Sequence, residues 1–399
     1  MKTQRIFTPI ALASMLGMLC LLPVACKKGT TPPPADTPPP PGLTVKDGHF
    51  HLGGKPLRAV GVNYYELFTR LAAKPADEST LQGLQQLAKS GVPFVRFNAG
   101  GYSAKDWHRY LSNKEAHFAQ MDRVVRAAES VGIGLIPSLF WSRALCEAAG
   151  EHAESWGNAE SRTSALMRDY TTEMVTRYRK SPAIWAWEFG NEWNLSADLP
   201  NAAEQRKPGQ DERDDLKNAH LGVAIKGFTT TVRSLDATRP LITGHSHPRA
   251  AAWHNTHEKS WKNDSPEQWR EIVLRDNPEP VNTIGIHIYA DTEAREACAY
   301  WTTGWPDYLG KLRALATELH RPIFIGEFGL AEGGKFNPEQ VKTRFRDIIS
   351  GMEAANIDLA AVWVFDLPSQ GKDWNITFTN ARSYMLHDVI EANRRWSGK

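Results

Sequence analysis

Eight short apolar runs recur between residues 58 and 365, and longer segments with helical periodicity lie between most of them. The runs cover 58–63, 93–98, 134–140, 183–189, 240–244, 283–289, 322–328 and 359–365, and their length and β-rich composition predict strands. Helical patterns occupy 81–90, 118–131, 164–179, 221–235, 308–319 and 338–355, with another at 382–396 after the last run. Eight strands alternating with helices over about 350 residues predict an α/β protein, a (β/α)8 TIM barrel with insertions. The alternative is a doubly wound open sheet, which usually has a Gly-rich phosphate turn after its first strand. Here the first run leads instead into Gly61-Val62-Asn63-Tyr64-Tyr65. Ahead of it, alternating residues over 43–57 with turn signals at Asp47-Gly48 and Gly53-Gly54 predict a short β-hairpin able to cap one end of the barrel.

The first 42 residues follow different rules. Met1-Lys2-Thr3-Gln4-Arg5, an apolar stretch over 6–22 and then Pro23-Val24-Ala25-Cys26 have the three-part layout of an export signal. The small residues before Cys26 resemble the bacterial lipobox, whose Cys is lipidated and becomes the mature N-terminus, although Pro23 stands where that pattern usually has Leu. The expectation is a lipoprotein-type signal peptide over 1–25, lipidation at Cys26 and an exported, membrane-anchored protein facing the periplasm or the cell surface. A plainly cleaved signal and an uncleaved anchor are the alternatives, the apolar stretch being short for a spanning helix. The Pro-rich residues 26–42 read as an extended linker, with a docking motif as the other possibility. Residues 43–399 contain no internal repeat or second linker and read as one catalytic domain. Cys146 and Cys298 lie within it, and two widely separated cysteines leave open whether they pair.

Composition narrows the partners. Lys and Arg total 47 against 45 for Asp and Glu, without a long basic run, so nothing here has the electrostatic footprint of a nucleic-acid binder. A neutral polymer suits this surface better. The 14 Trp, 10 Tyr and 15 Phe supply flat apolar faces as well as core.

In a barrel of this kind the active site forms where the strands end, so the polar residues closing each run matter most. The second run ends in Val95-Arg96-Phe97-Asn98, the fourth leads into Glu188-Phe189-Gly190-Asn191-Glu192-Trp193, the sixth ends in His287-Ile288-Tyr289, the seventh in Gly326-Glu327-Phe328-Gly329, and the eighth carries Trp363. Glu192 and Glu327 would face one another across the mouth. Hydrolysis of a glycosidic bond needs such a pair, one carboxyl protonated and the other ionised.

Asn191-Glu192 after the fourth strand and Glu327 ending the seventh resemble the signature of clan A glycoside hydrolases, and specifically of family 5, the cellulase and β-mannanase family. Arg96, Asn191, Glu192, His287, Tyr289, Glu327 and Trp363 each fall where that family has the same residue type, in the same order, and the similarity covers nearly all of 43–399. The resemblance implies retention of configuration, with Glu192 as acid/base, Glu327 as nucleophile, Asn191 on the sugar 2-hydroxyl and Trp363 as a stacking floor. Elementary chemistry agrees: Arg96 offers a fork of donors that would keep Glu327 ionised, Tyr289 can hold its other oxygen, and His287 can tune Glu192. Many family 5 cellulases carry a His just after the third strand, where this chain has Leu139-Phe140-Trp141-Ser142-Arg143. With Tyr64-Tyr65 after the first strand, this leans toward the mannanase branch, with Trp141 and Tyr65 expected to line sugar subsites.

Trp193, Trp253, Trp301, Trp305 and Trp374 are further candidates for stacking on pyranose rings, about half of them expected to be plain packing. The stretch containing His245-Ser246-His247 and His254-Asn255-Thr256-His257 has imidazoles at a spacing that can bind zinc, but neither a HExxH helix nor a paired CxxC accompanies it. No metal or cofactor is expected, and His245, closing the fifth strand, is expected to touch substrate. The resulting reading is an endo-β-1,4-glycanase cleaving mannan-type or glucan-type polysaccharide. A non-catalytic surface glycan-binding protein on the same barrel and a metal-dependent barrel hydrolase are its rivals; the oligomeric state is open.

Overall fold

In the computed structural model, residues 39–289, 305–333 and 336–397 are described. Chain direction first reverses at Asp47-Gly48 and Gly53-Gly54, whose four φ angles are positive, from 52° to 78°. Such turns match the right-handed twist of paired strands. They join β1 (Leu43–Lys46), β2 (His49–Leu52) and β3 (Lys55–Pro56) into a small antiparallel sheet. Leu43 and Phe50, both 0% exposed, pack with Ala59, Phe94, Trp185, Phe324 and Leu359 near the starts of the barrel strands. The expected hairpin, lengthened by the two residues of β3, thus plugs the end of the barrel where the strands begin.

Among the described residues, the barrel strands are β4 (Ala59–Asn63), β5 (Phe94–Asn98), β6 (Gly134–Phe140), β7 (Trp187–Gly190), β8 (Leu241–Ile242), β9 (Ile284–Tyr289), β10 (Ile323–Gly329) and β11 (Leu359–Val362). All are parallel, in the order β8-β7-β6-β5-β4-β11-β10-β9. The eight form a nearly closed barrel with helices between them, as the alternation predicts. At the seam between β8 and β9, Leu241 N donates to the Asn282 side chain at 2.9 Å and His247 N to the His287 carbonyl at 3.2 Å. The fifth strand is shorter than expected because Gly244 turns the chain at φ 73°. A Cβ on Gly244 would lie 1.9 Å from the Gly190 carbonyl oxygen.

Each expected helical pattern is a helix that differs at its ends, where caps decide, whereas helix Ala104–Ser112 was not expected. Asn113 accepts from Ala116 N and starts helix Lys114–Val131 four residues earlier than its apolar pattern; Gly132, left-handed, ends it. Two helices after β8, Ala252–Glu258 and Pro266–Asp276, were not evident from apolar spacing, because the first is short and mostly polar. The signal segment, Cys26, most of the linker, Cys298 and Trp301 lie outside the described residues. Cys146 is buried, and burial pushes its thiol up to about 11.

Candidate active site

Arg96 organises the floor of the barrel mouth. It is wholly buried in the middle of β5, where its guanidinium is distributed over four side chains. Nε donates to Glu188 Oε2 at 2.7 Å, Nη1 to Glu327 Oε1 at 2.8 Å and to Asn63 Oδ1 at 3.0 Å, and Nη2 to Asn191 Oδ1 at 2.8 Å. Trp141 covers the guanidinium face, 4.5 Å from ring centroid to Cζ. One buried cation therefore joins residues from β4, β5, β7, β10 and the turn after β7.

Glu327 reaches this site through an irregularity in β10, whose register with both neighbours shifts around Gly326. The shift brings the β10 backbone against His287, and a Cβ on Gly326 would sit 2.7 Å from its Nε2, so glycine is required there. Glu327 is 4% exposed in its side chain, with Arg96 donating to Oε1 and the Tyr289 hydroxyl to Oε2. Burial raises its pKa and the Glu192 charge adds to this, while Arg96 and the Tyr289 hydrogen bond pull it down. The net direction is upward, so Arg96 does not by itself hold this carboxyl in the ordinary range.

Glu192 lies beyond β7 in the left-handed backbone region at φ 52°, an uncommon conformation for a side chain of this size. Its N–H donates to the Gly244 carbonyl at 2.8 Å, which anchors the turn. The side chain is 26% exposed, and its Oε1 lies 3.0 Å from His287 Nδ1. Burial pushes His287 down to about 3, so the ring is neutral at working pH. A carboxyl oxygen of Glu192, one of Glu327 and a ring nitrogen of His287 all lie within 4.8 Å of one another. These three could in principle hold a cation, but Arg96 already places a positive charge against Glu327.

The aromatic rim is made of Tyr65, Trp363 and Trp374. Trp363 is half-buried and stacks on Trp141 at 6.0 Å, and Tyr65 packs edge-on against Trp141 at 5.0 Å. Trp374 meets Tyr289 at 5.3 Å. Tyr102, 57% exposed and 6.2 Å from Tyr65, belongs to the same surface and was not singled out from the sequence.

Thus Arg96, Asn191, Glu192, His287, Tyr289, Glu327, Trp363, Trp141 and Tyr65 converge as expected, but several expectations need correction. Trp141 is only 6% exposed and serves chiefly to cover Arg96. His245, 1% exposed, lines a separate cleft of about 550 Å3 between helices Asn218–Leu235 and Pro266–Asp276. Trp193 and Trp305 are buried core residues, and the Trp193 indole donates to the Phe140 carbonyl. Trp253 is tied to Glu271 on the outer helices. Among the described residues, no group of three ligand-bearing side chains unites the histidines of 245–257; His254 is instead paired with Asp264 at 2.8 Å.

Besides Tyr102, two residues of the Arg96 cluster escaped the sequence reading, Asn63 and Glu188. Each had a signal: Asn63 closes the first strand beside Arg96 in the ladder, and Glu188 is a charge inside an otherwise apolar run.

Residues 54–366 match the family model Cellulase (glycosyl hydrolase family 5). Similar proteins include mannan endo-1,4-beta-mannosidase 5 of Arabidopsis thaliana, 22% identical over 77% of this chain and 74% of its own length. Putative mannan endo-1,4-beta-mannosidase 9 of Oryza sativa subsp. japonica is 30% identical over 70% and 69%. Among solved structures, the endo-1,4-beta-mannanase from Rhizomucor miehei superposes with a TM-score of 0.65 over 90% of this chain and 100% of that one, at 15% identity, a likeness of fold. Because the family model spans most of the chain and agrees with the carboxylate pair at the strand ends, this protein is a glycosyl hydrolase belonging to family 5.

Proposed function

We propose that the protein is a retaining endo-β-1,4-mannanase, with Glu327 as nucleophile and Glu192 as acid/base. The observation that carries this reading is the carboxylate pair: oxygens within 4.8 Å, one carboxyl buried and clamped, the other partly open to solvent. Retaining enzymes keep their two carboxyls about 5–5.5 Å apart, whereas inverting ones leave room for water at about 6.5–9.5 Å. The names of the relatives support mannan as the polymer.

Glu327 Oε attacks the anomeric carbon while Glu192 gives its proton to the departing glycosidic oxygen, leaving a neutral glycosyl ester on Glu327 and Glu192 ionised. A water then loses its proton to Glu192 as its oxygen bonds to the anomeric carbon, the ester bond breaks, and both carboxyls return to their starting states. Neutral His287 hydrogen-bonds Glu192 and holds its orientation through both steps. Asn191, fixed by Arg96 through its carbonyl oxygen, has its amide available for the sugar 2-hydroxyl. Trp363 offers an apolar face to a pyranose ring.

The domain from residue 43 onward should release reducing ends from mannan and glucomannan in preference to cellulose, xylan or mixed-linkage glucan, and the first-formed product should retain the β configuration by NMR. Binding without release by the wild type would favour the glycan-binding alternative, and an α product would sink the retaining mechanism.

A further inference from the structure

The Arg96 guanidinium contacts two carboxylates, Glu188 and Glu327, and the proposed reaction needs only one of them. Glu188 is 0% exposed, its Oε2 accepts from Arg96 Nε, and its Oε1 has no hydrogen-bond partner among the described residues. It stands on β7, four residues before Glu192 and beneath the mouth, with Arg96 as its charged neighbour at 2.7 Å. Burial and the Glu327 charge raise its pKa while Arg96 pulls it down, so the ionised form is costly and depends on the guanidinium at 2.7 Å.

The need for that charge arises in the covalent step. When Glu327 bonds to the anomeric carbon it becomes a neutral ester, whereas Arg96 cannot lose its proton. Without a charge on Glu188, the guanidinium would then be a buried cation with no counter-charge. We infer that Glu188 is the standing counter-ion of Arg96, a positioning residue that keeps the guanidinium neutralised while Glu327 passes from carboxylate to ester and back. Its negative charge also offsets the pull of Arg96 on Glu327 and so preserves the nucleophilicity of that carboxylate. This inference rests on the reading of Glu327 as nucleophile.

A purely structural role, in which Glu188 only aims the guanidinium, would need an acceptor for Nε and no charge. Glu188→Gln separates the two, because the amide oxygen can still accept from Nε. The titratable and charged groups facing Glu327 are Arg96 from β5, Glu188 and Glu192 from β7 and the turn after it, and His287 and Tyr289 from β9. Without the Glu188 charge, Arg96 acts on Glu327 unopposed and favours its ionised form. The acid limb of kcat/KM belongs to the first ionisation of the Glu192–Glu327 pair. In Glu188→Gln it should move to lower pH by about one unit or more, with kcat/KM at the optimum reduced about tenfold or more. Glu188→Asp, which keeps the charge on a shorter stem, should lose rate but keep its acid limb at the wild-type pH.

An acid limb that stays in place in Glu188→Gln, with kcat/KM within about twofold of wild type, would overturn the counter-ion role, as would an equal shift in Glu188→Asp. If Glu188→Gln does not fold, the Asp variant decides: a limb at the wild-type pH supports the role and a shifted one overturns it. Failure of the underlying reading is seen separately, as activity surviving in Glu327→Ala.

Discussion

Glu192 and Glu327 bring carboxyl oxygens within 4.8 Å of each other, yet the Glu192 side chain is 26% exposed and that of Glu327 4%. The difference follows from position. Glu192 sits on a left-handed turn beyond β7, where solvent can exchange protons with it, whereas Glu327 is still within β10 and is clamped at both oxygens. Two like residues are thereby made unlike, as acid–base chemistry at one bond requires.

Glu327→Ala should lower turnover of mannan by about 10⁴-fold or more, since the proposed covalent step loses its nucleophile. Circular dichroism should show an intact fold, because Glu188 still neutralises Arg96. Reducing-end release near the wild-type rate would remove Glu327 from the mechanism.

Glu192→Ala should affect substrates unequally. Polysaccharide cleavage needs a proton on the leaving oxygen and should fall by about 10²- to 10⁴-fold, whereas an activated aryl glycoside, whose leaving group needs none, should retain far more of its first-step rate. Equal losses on both, read from the burst and steady-state phases, would argue against the acid role.

Removing the cation should be worse for the fold than removing either anion. Arg96→Ala leaves Glu188 and Glu327 buried without a partner, a change worth about 3–5 kcal/mol of stability. Chemical denaturation should find this loss, and a difference below about 1 kcal/mol would mean that the cluster is more hydrated than its burial indicates.

Burial pushes His117 and His245 down to about 4 and His287 to about 3, so all three are neutral in the folded protein where the unfolded chain protonates its histidines, at about 6.5. Unfolding takes up protons in that window. The contribution of each is intact above about pH 6.5 and is lost as pH falls toward the folded value, at up to about 1.4 kcal/mol per pH unit. Tm measured from pH 7 to 4 should therefore decline, and His117→Gln, which leaves a partner for the Tyr170 hydroxyl, should flatten the decline. An unchanged slope in that variant would count against a neutral buried His117.

The N-terminal segment supports a separate proposal, that the protein is exported and tethered through lipid on Cys26. Cys26→Ser should move it from the detergent-soluble membrane fraction to the soluble one without altering activity on mannan. Membrane retention in that variant would favour the uncleaved anchor.

Much of this protein was legible in its linear pattern. All eight barrel strands begin within four residues of the expected positions, because a buried parallel strand needs a continuous apolar run and each run was bounded by turn or cap residues. The residues closing those runs mark the mouth for the same reason: strand direction alone decides which end faces the site. Helix ends were less legible, since a single cap such as Asn113 outweighs the apolar spacing.

Other features depended on distance along the chain. Arg96 and Glu188 are 92 residues apart, and Arg96 and Glu327 are 231 apart; no local pattern states that one guanidinium serves both. Trp193, Trp305 and Trp363 are one residue type near strand ends or helix starts, yet the first two are core and the third borders the mouth. By itself, the sequence determined the alternation of strand and helix and which polar residues end the strands, because backbone periodicity is local. Only the tertiary structure decided which of those residues share a proton or a charge and which aromatics remain open, because closing the barrel sets both the neighbours and the solvent of every strand end.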